Sequence, residues 1–298
     1  MSSSAGGARS PRLASSPVVA PTMRIAVTGA AGILGRRVIE RASAAGHDVV
    51  AVDLPDAVPG DGVGRVDWRA ADVIDLDAVR AALTGTDVVV HLGALTSPYH
   101  PEPIVHRTNV NGTHNVLVAA EELQLAAVCL ASSVNAIGGA FSYSPRYDEF
   151  PITEDHPSYC EDSYSLSKLI LEQQSAAFAR RRPHVPFTAL RLHALHDDYD
   201  TAARSCQDEV DYRHLWGWTA VDQAAAACLL AVRRRAPGHA VANIVAARTA
   251  SATPSAELAD KWFPEVPRRQ PLVGNAGFYT TDAAQRLLGW DAHDEHPA

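Results

Sequence analysis

From Met23 onward, short apolar runs alternate with stretches whose apolar positions recur at helical spacing. "RIAVTG" ends on Gly29 and reads as a buried strand. "ILGRRVIERASAAG" reads as a helix closing on Gly46. A second strand, "HDVVAVDL", and a weaker third, "RVDWRAAD", follow. "DLDAVRAALTG" is helical, with an acidic start and a glycine end, and leads into the strand "DVVVHLGA". Next come the long helix "PIVHRTNVNGTHNVLVAAEEL", the strand "AAVCLASS" and the loop "GGAFSYSPRYDEFPITEDHPSYCED". A helix containing "YSLSKLILEQQ" and the strand "PFTALRLH" complete the series. This alternation predicts an α/β protein built on a doubly wound parallel sheet with helices on both faces.

After His196 the rhythm weakens. "WGWTAVDQAAAACLLAVRRR" reads as a helix and "HAVANIVAA" as a strand, with short helical segments around Ala256 and Ala283. The expected organisation is a nucleotide-binding domain with the catalytic residues over 23–196, and a small cap plus returning sheet elements over 197–298. Such a cap would pack onto the carboxyl ends of the strands, where these sheets bind ligands. Residues 1–22 are rich in Ser, Ala, Pro, Gly and Arg and lack the apolar centre of a signal peptide, so they read as a disordered extension. Met23, one of two methionines, directly precedes the first strand and is a second candidate start of translation.

Composition narrows the class of partner. The 298 residues are 47% hydrophobic and 20% charged, enough apolar material for a core. A net charge of -8 gives no general attraction for nucleic acid or anionic membrane. No apolar run reaches the length of a membrane span. The expected partner is therefore a small molecule. The four cysteines form no CxxC pair, and their usage fits the cytoplasm; Cys129 and Cys228 read as small core hydrophobes. His193, His196 and His214 are too scattered to suggest a metal site.

Candidate chemistry begins with "TGAAGILG", where Gly29, Gly32 and Gly35 stand three residues apart between a strand and a helix. A tight turn there needs positive φ, and the helix start then offers bare N–H groups to a pyrophosphate. The spacing is GxxGxxG, not the commoner GxGxxG. Asp53 ends the second strand eighteen residues past Gly35, about where a ribose-binding carboxylate belongs. A carboxylate accepts from ribose hydroxyls and repels a 2′-phosphate, so NAD is expected over NADP. Tyr164 and Lys168 lie four residues apart, one turn along a helix. A phenol with a pKa of about 10 is a poor base, and a neighbouring cation lowers that value. Lys168 is expected to supply one such charge for Tyr164, and the nicotinamide ring of NAD+ another.

Seven features occur in register: TGxxGxxG, the acid after strand two, "ADV", "HLGA", "NVNGT", "ASS" and YxxxK. Together they resemble the extended short-chain dehydrogenase/reductase family, also called the NAD-dependent epimerase/dehydratase family, from about Met23 to about Ala236. The resemblance implies a Rossmann-type fold, with Gly29, Gly32, Ile33, Leu34 and Gly35 around the cofactor. It implies that Asp72 and the Val73 backbone hold the adenine, and that Leu92, Gly93 and Ala94 line the cofactor. Asn109 would hold the active site. Counting back from Gly138 makes Ser133, not Ser132, the serine that orients the reacting oxygen beside Tyr164 and Lys168. His91 reads as a buried strand-end histidine. The family commonly forms homodimers through the helices holding Asn109 and Tyr164.

The pattern departs after strand six. "ALRLHALHDDYD" has neither the asparagine nor the Gly-Pro usual in nucleotide-sugar enzymes of the family, and about twenty residues separate His196 from "WGWTAVDQ". The usual nucleotide-binding cap is expected to be missing. This layout resembles the uronate dehydrogenases, although Val134-Asn135 replaces their Asn-His and Ala194 their serine. Thr96, Ser133, Asn135 and Arg204 are candidate substrate contacts. Arg204 and Arg213 are candidate carboxylate clamps, or else ordinary surface arginines. Trp216 and Trp218 read better as core than as a stacking platform. The expected reaction is hydride transfer between a nicotinamide and a secondary alcohol, sugar or lactol. The alternative is nucleotide-sugar epimerisation or dehydration with NAD recycled internally.

Overall fold

The computed structural model describes residues 22–57 and 66–293. The disordered extension expected over 1–22 lies, apart from Thr22, outside the described residues. The first half of the chain runs β1 (Arg24–Thr28), α1 (Ile33–Ala44), β2 (Asp48–Asp53), β3 (Val66–Ala70), α2 (Leu76–Leu83) and β4 (Val88–His91). Then come α3 (Glu102–His106), α4 (Gly112–Glu122), β5 (Ala127–Ser133), α5 (Ser163–Arg181) and β6 (Pro186–Leu192). The remainder runs β7 (Leu195–His196), α6 (Tyr199–Ser205), α7 (Asp208–Asp211), β8 (Thr219–Ala220), α8 (Val221–Arg233), β9 (Gly238–Ile244), α9 (Ser255–Trp262) and α10 (Asp282–Leu288).

Seven strands form one parallel sheet in the order β3-β2-β1-β4-β5-β6-β9. The order reverses between β1 and β4, and the crevice beyond their carboxyl ends is where such sheets take ligands. The central strands β1, β4, β5 and β6 are almost wholly buried because both faces are covered. On one face Val38 of α1, Ala224 of α8 and Trp290 pack against Val27 and Val90. On the other, Val79 of α2, Leu117 of α4 and Phe178 of α5 pack against Val50 and Val128. A separate apolar cluster joins Tyr147 and Phe150 of the loop after β5 to Trp216, Phe263 and Phe278 of the C-terminal part. Trp216 and Trp218 are both buried, so each is a packing residue, as expected.

Two elements differ from expectation. The helix expected over 103–123 is broken into α3 and α4 by a π turn at Arg107–Asn111. The widened turn carries Asn109, which is buried, and such turns recur at functional sites. The helix expected from Trp216 begins only at Val221. Leu215 and Trp216 instead adopt left-handed backbone, with φ of 60° and 51°, and are buried completely in that apolar cluster. Tertiary packing overrides helix propensity there.

Candidate active site

The glycine loop opens a cavity of about 990 Å³ along the carboxyl ends of the strands. Gly29 has φ of 68°, and a Cβ there would lie 2.7 Å from the Gly93 nitrogen. At Gly35 a Cβ would lie 2.3 Å from the Gly29 carbonyl, so α1 can pack on β1 only without one. Gly32 is different: its sole close neighbour would be the Gly29 carbonyl at 3.2 Å. Gly32 caps α1 with no side-chain hydrogen bond, leaving the helix's first N–H groups to face the cavity with Ile33 and Leu34. Asp53 closes this end. Its Oδ2 accepts from the Ala31 N–H and its Oδ1 from the Leu54 N–H, each at 2.8 Å.

The middle of the cavity is lined by Asp72, Val73, Leu92, Gly93 and Ala94. Asn115 donates to the Val73 carbonyl at 2.9 Å, and the Gly93 N–H donates to Thr28 Oγ1 at 3.2 Å. His91 is clamped between Thr28 and Thr113 at 2.7 and 3.2 Å. Burial, with Lys168 nearby, pushes the His91 pKa down to about 3, so it is a neutral structural residue. An uncapped helix start, an approach open at Gly32 and a carboxylate at the strand end together fit a dinucleotide.

Ser133, Tyr164 and Lys168 converge at the far end. Ser133 ends β5 and accepts from the Asn135 N–H at 3.1 Å. Asp162 caps α5 by accepting from the Ser165 N–H at 2.9 Å, which sets Tyr164 in the first turn. Tyr164 lies close enough to Ser133 for the serine side chain to lower its pKa. Ser132 points away and donates to Glu172 at 2.6 Å. Lys168 donates to the Ala131 carbonyl at 2.8 Å, and its Nζ lies 5.7 Å from the Tyr164 ring centre.

The electrostatics qualify one expectation. Burial pushes the Tyr164 pKa above its ordinary value, outweighing the Ser133 side chain that pulls it down. Lys168 does not by itself bring the phenol into range, because desolvation of Tyr164 outweighs the groups that lower its pKa; Lys168 is itself pulled down by burial to about 8, with Glu172 pushing it up. Helical spacing shows that the two groups meet but not that both are desolvated.

Asn109 does not line the cavity. Its Oδ1 accepts from the Leu95 N–H at 2.8 Å, and its Nδ2 donates to the Leu95 carbonyl and to Ser167 Oγ, both at 2.9 Å. Asn109 therefore positions the strand-four loop against α5 and does not touch the reacting end. Thr96 and Asn135 line the cavity. Arg204 does not: it sits in the exposed last turn of α6 and donates to Thr201 at 3.0 Å. Arg213 also lies off the lining and donates to the Ser142 carbonyl at 2.8 Å. Sequence reasoning missed Phe141 and did not connect His193 and His214 with the cavity. Phe141 stands in a loop without periodicity, and the two histidines meet only through the fold.

The family model for the NAD dependent epimerase/dehydratase family matches residues 25–196, more than half of the chain. An L-arabinose 1-dehydrogenase (NAD(P)(+)) of Haloferax volcanii is 39% identical over 110 residues, 37% of this chain and 41% of that protein. An uncharacterised protein of Mycobacterium tuberculosis is 39% identical over 113 residues, 37% of this chain and 12% of that protein. The chain thus matches less than half the length of these relatives. Among solved structures, MoeE5 in complex with UDP-glucose and NAD has a TM-score of 0.67 at 23% identity, covering 92% of this chain and 95% of that one. A mutated uronate dehydrogenase has a TM-score of 0.67 at 22% identity, covering 91% and 82%. These likenesses establish the fold.

Burying Lys168 costs stability at neutral pH. Its pKa of about 8, against an ordinary 10.5, means that the penalty is full below pH 8 and is relieved as pH rises toward 10.5. Lys168→Met, without added nucleotide, is expected to unfold with about 3 kcal/mol more stability at pH 7, the gap shrinking above pH 8. Denaturant unfolding across that range checks this; a gap that widens with pH contradicts it.

Proposed function

Because this chain belongs to the NAD dependent epimerase/dehydratase family, we propose that it is an NAD-dependent oxidoreductase acting on a secondary alcohol, sugar or lactol carbon of a small molecule. The observation that carries this reading is the convergence of Ser133, Tyr164 and Lys168 at one end of a cavity whose other end is the glycine loop and Asp53. When bound, NAD+ accepts the hydride and adds positive charge beside Tyr164. Ser133 holds the substrate oxygen, and Tyr164 takes its proton as the carbon is oxidised, or returns it in reverse. Lys168 supports the phenolate by its charge, and Asn109 keeps the Leu95 backbone and α5 in place.

A second reading, nucleotide-sugar epimerisation or dehydration with internally recycled NAD, is supported by the likeness to the UDP-glucose complex. Accumulation of NADH with a free substrate separates the two. NAD is favoured over NADP because Asp53 fills the ribose end with a carboxylate.

A homodimer is also proposed. Helix α5 turns Lys168, Glu172 and Ser175 inward and leaves Leu166, Leu169 and Ile170 exposed or half-buried. The inner face also buries Leu171 and Phe178, so the outer strip of Leu166, Leu169 and Ile170 is apolar surface beyond what the core needs, and the same face of a second copy covers it.

Tyr164→Phe is expected to keep NAD+ affinity while turnover falls by about 10²–10⁴-fold; near-normal turnover on the true substrate would reject the role. Asp53→Ala is expected to weaken NAD+ binding about tenfold and to spare NADP+, with equal losses for both counting against the assignment. Light scattering is expected to show twice the 31.8 kDa chain mass for the wild type and a single chain for Leu166→Glu; a monomeric wild type contradicts the dimer.

A further inference from the structure

Among the described residues, the chamber beyond Ser133 and Tyr164 offers a ligand no cationic side chain that is not already committed to a protein partner. Among the described residues lining the cavity, Lys168 is the one lysine or arginine, and its Nζ is turned to the Ala131 carbonyl. Arg213 and Arg204 lie off the lining, donating to Ser142 and Thr201. His193 does line the chamber, but burial holds its pKa at about 3. Both of its ring nitrogens are also taken: Nδ1 accepts from the Ala194 N–H at 2.7 Å, and Nε2 donates to the His214 carbonyl at 2.9 Å. His214 donates through Nε2 to Asp211 at 3.0 Å. Burial pushes Asp211 up, yet the hydrogen bonds from His214 and the Gln207 N–H outweigh it and leave its pKa below the ordinary value. The Asp211–His214 pair is therefore neutral or negative, whichever way the ring is protonated.

What the chamber offers instead is uncharged. Asn135 is fixed, since its Oδ1 accepts from the Ala140 N–H at 3.2 Å and its own N–H donates to Ser133. That leaves its Nδ2 as a donor for a ligand oxygen in the cavity it lines. Thr96 adds a hydroxyl. Phe141 adds a ring, edge-on to Tyr164 at 5.8 Å and to Tyr99 at 5.9 Å.

We propose that the substrate is an uncharged hydroxylated ring, such as a free sugar, lactol or cyclic polyol, and neither a nucleotide-linked sugar nor a sugar acid. This rests on the dehydrogenase reading above. A pyrophosphate or carboxylate entering the chamber would lose its hydration and find as protein cation only Lys168, whose Nζ is engaged with the Ala131 carbonyl. A hydroxyl loses little, because Asn135, Thr96 and Ser133 replace its water partners. The C–H face of the ring covers Phe141.

The test is NADH production by the purified chain with NAD+ against three sets: neutral free sugars and cyclic polyols, uronic acids, and UDP-sugars. The expected result is a neutral substrate whose kcat/KM exceeds that of every charged compound by at least about a hundredfold. Comparable turnover of a uronate or a UDP-sugar overturns the substrate class and leaves the dehydrogenase reading standing. No NADH from any set, with NAD+ still bound, overturns both. Calorimetric titration of UDP-glucose and of D-glucuronate into the NAD+-loaded chain gives a readout apart from turnover: no binding is expected, and submillimolar binding of either overturns the proposal. Asn135→Asp keeps the acceptor for Ala140 and removes the donor. KM for the neutral substrate is expected to rise about tenfold at an unchanged melting temperature, whereas an unchanged KM takes Asn135 out of recognition and counts against the proposal.

Discussion

The candidate site hangs on one buried carboxylate. Glu172, one turn beyond Lys168 and 3% exposed, accepts from Arg191 Nε and Nη2, both at 2.9 Å, and from the Ser132 hydroxyl at 2.6 Å. These bonds tie α5 to β5 and β6. Arg191 continues the chain by donating to the Glu154 carbonyl at 3.0 Å, and Glu154 accepts from the Asn243 N–H of β9 at 2.8 Å. One network thus fixes the helix carrying Tyr164, the strand carrying Ser133 and part of the loop between them. It also favours the charged form of Lys168. Removing one partner of a buried pair of this kind costs about 3–5 kcal/mol, because the other charge is stranded. The arrangement of the reacting groups therefore depends on a pair that touches none of them.

The turn at Leu215 and Trp216 is held just as firmly, by strain accepted locally. Two consecutive non-glycine residues in left-handed backbone cost of the order of 1–3 kcal/mol each. Leu215 and Trp216 are held there by complete burial, by the Trp216 N–H donating to the Asp211 carbonyl at 3.2 Å, and by Trp216 Nε1 donating to the Asp208 carbonyl at 3.3 Å. The turn sets His214 against His193, with ring centres 5.2 Å apart. Gly217 permits the approach, since a Cβ there would fall 2.6 Å from His193. The turn thereby brings His214 and His193 to the chamber wall.

Much of this was legible in the chain. The strand–helix rhythm, Gly29, Gly35 and Asp53 carry local signals, because turns, helix starts and strand ends are governed by neighbours in sequence. Ser133 and Tyr164 were found by register against a known pattern. What escaped depends on distant partners. Glu172 is visible one turn after Lys168, but nothing in sequence couples it to Arg191. The π turn that buries Asn109 has no pattern of its own. Arg204 fell near a motif position, yet the start of α6 turns it to the surface. The burial that opposes a lowered Tyr164 pKa is not legible either, because spacing reports proximity, whereas the pKa answers also to desolvation.

The central claim is that burial keeps the Tyr164 phenol protonated until positive charge is placed beside it. Ultraviolet difference spectroscopy of NAD+ binding at mildly alkaline pH tests it most directly. The account predicts that a phenolate band appears when NAD+ is added to the wild type, and that it is absent with NADH and absent in Tyr164→Phe. A phenolate band already present without nucleotide, or one that persists in Tyr164→Phe, would contradict it.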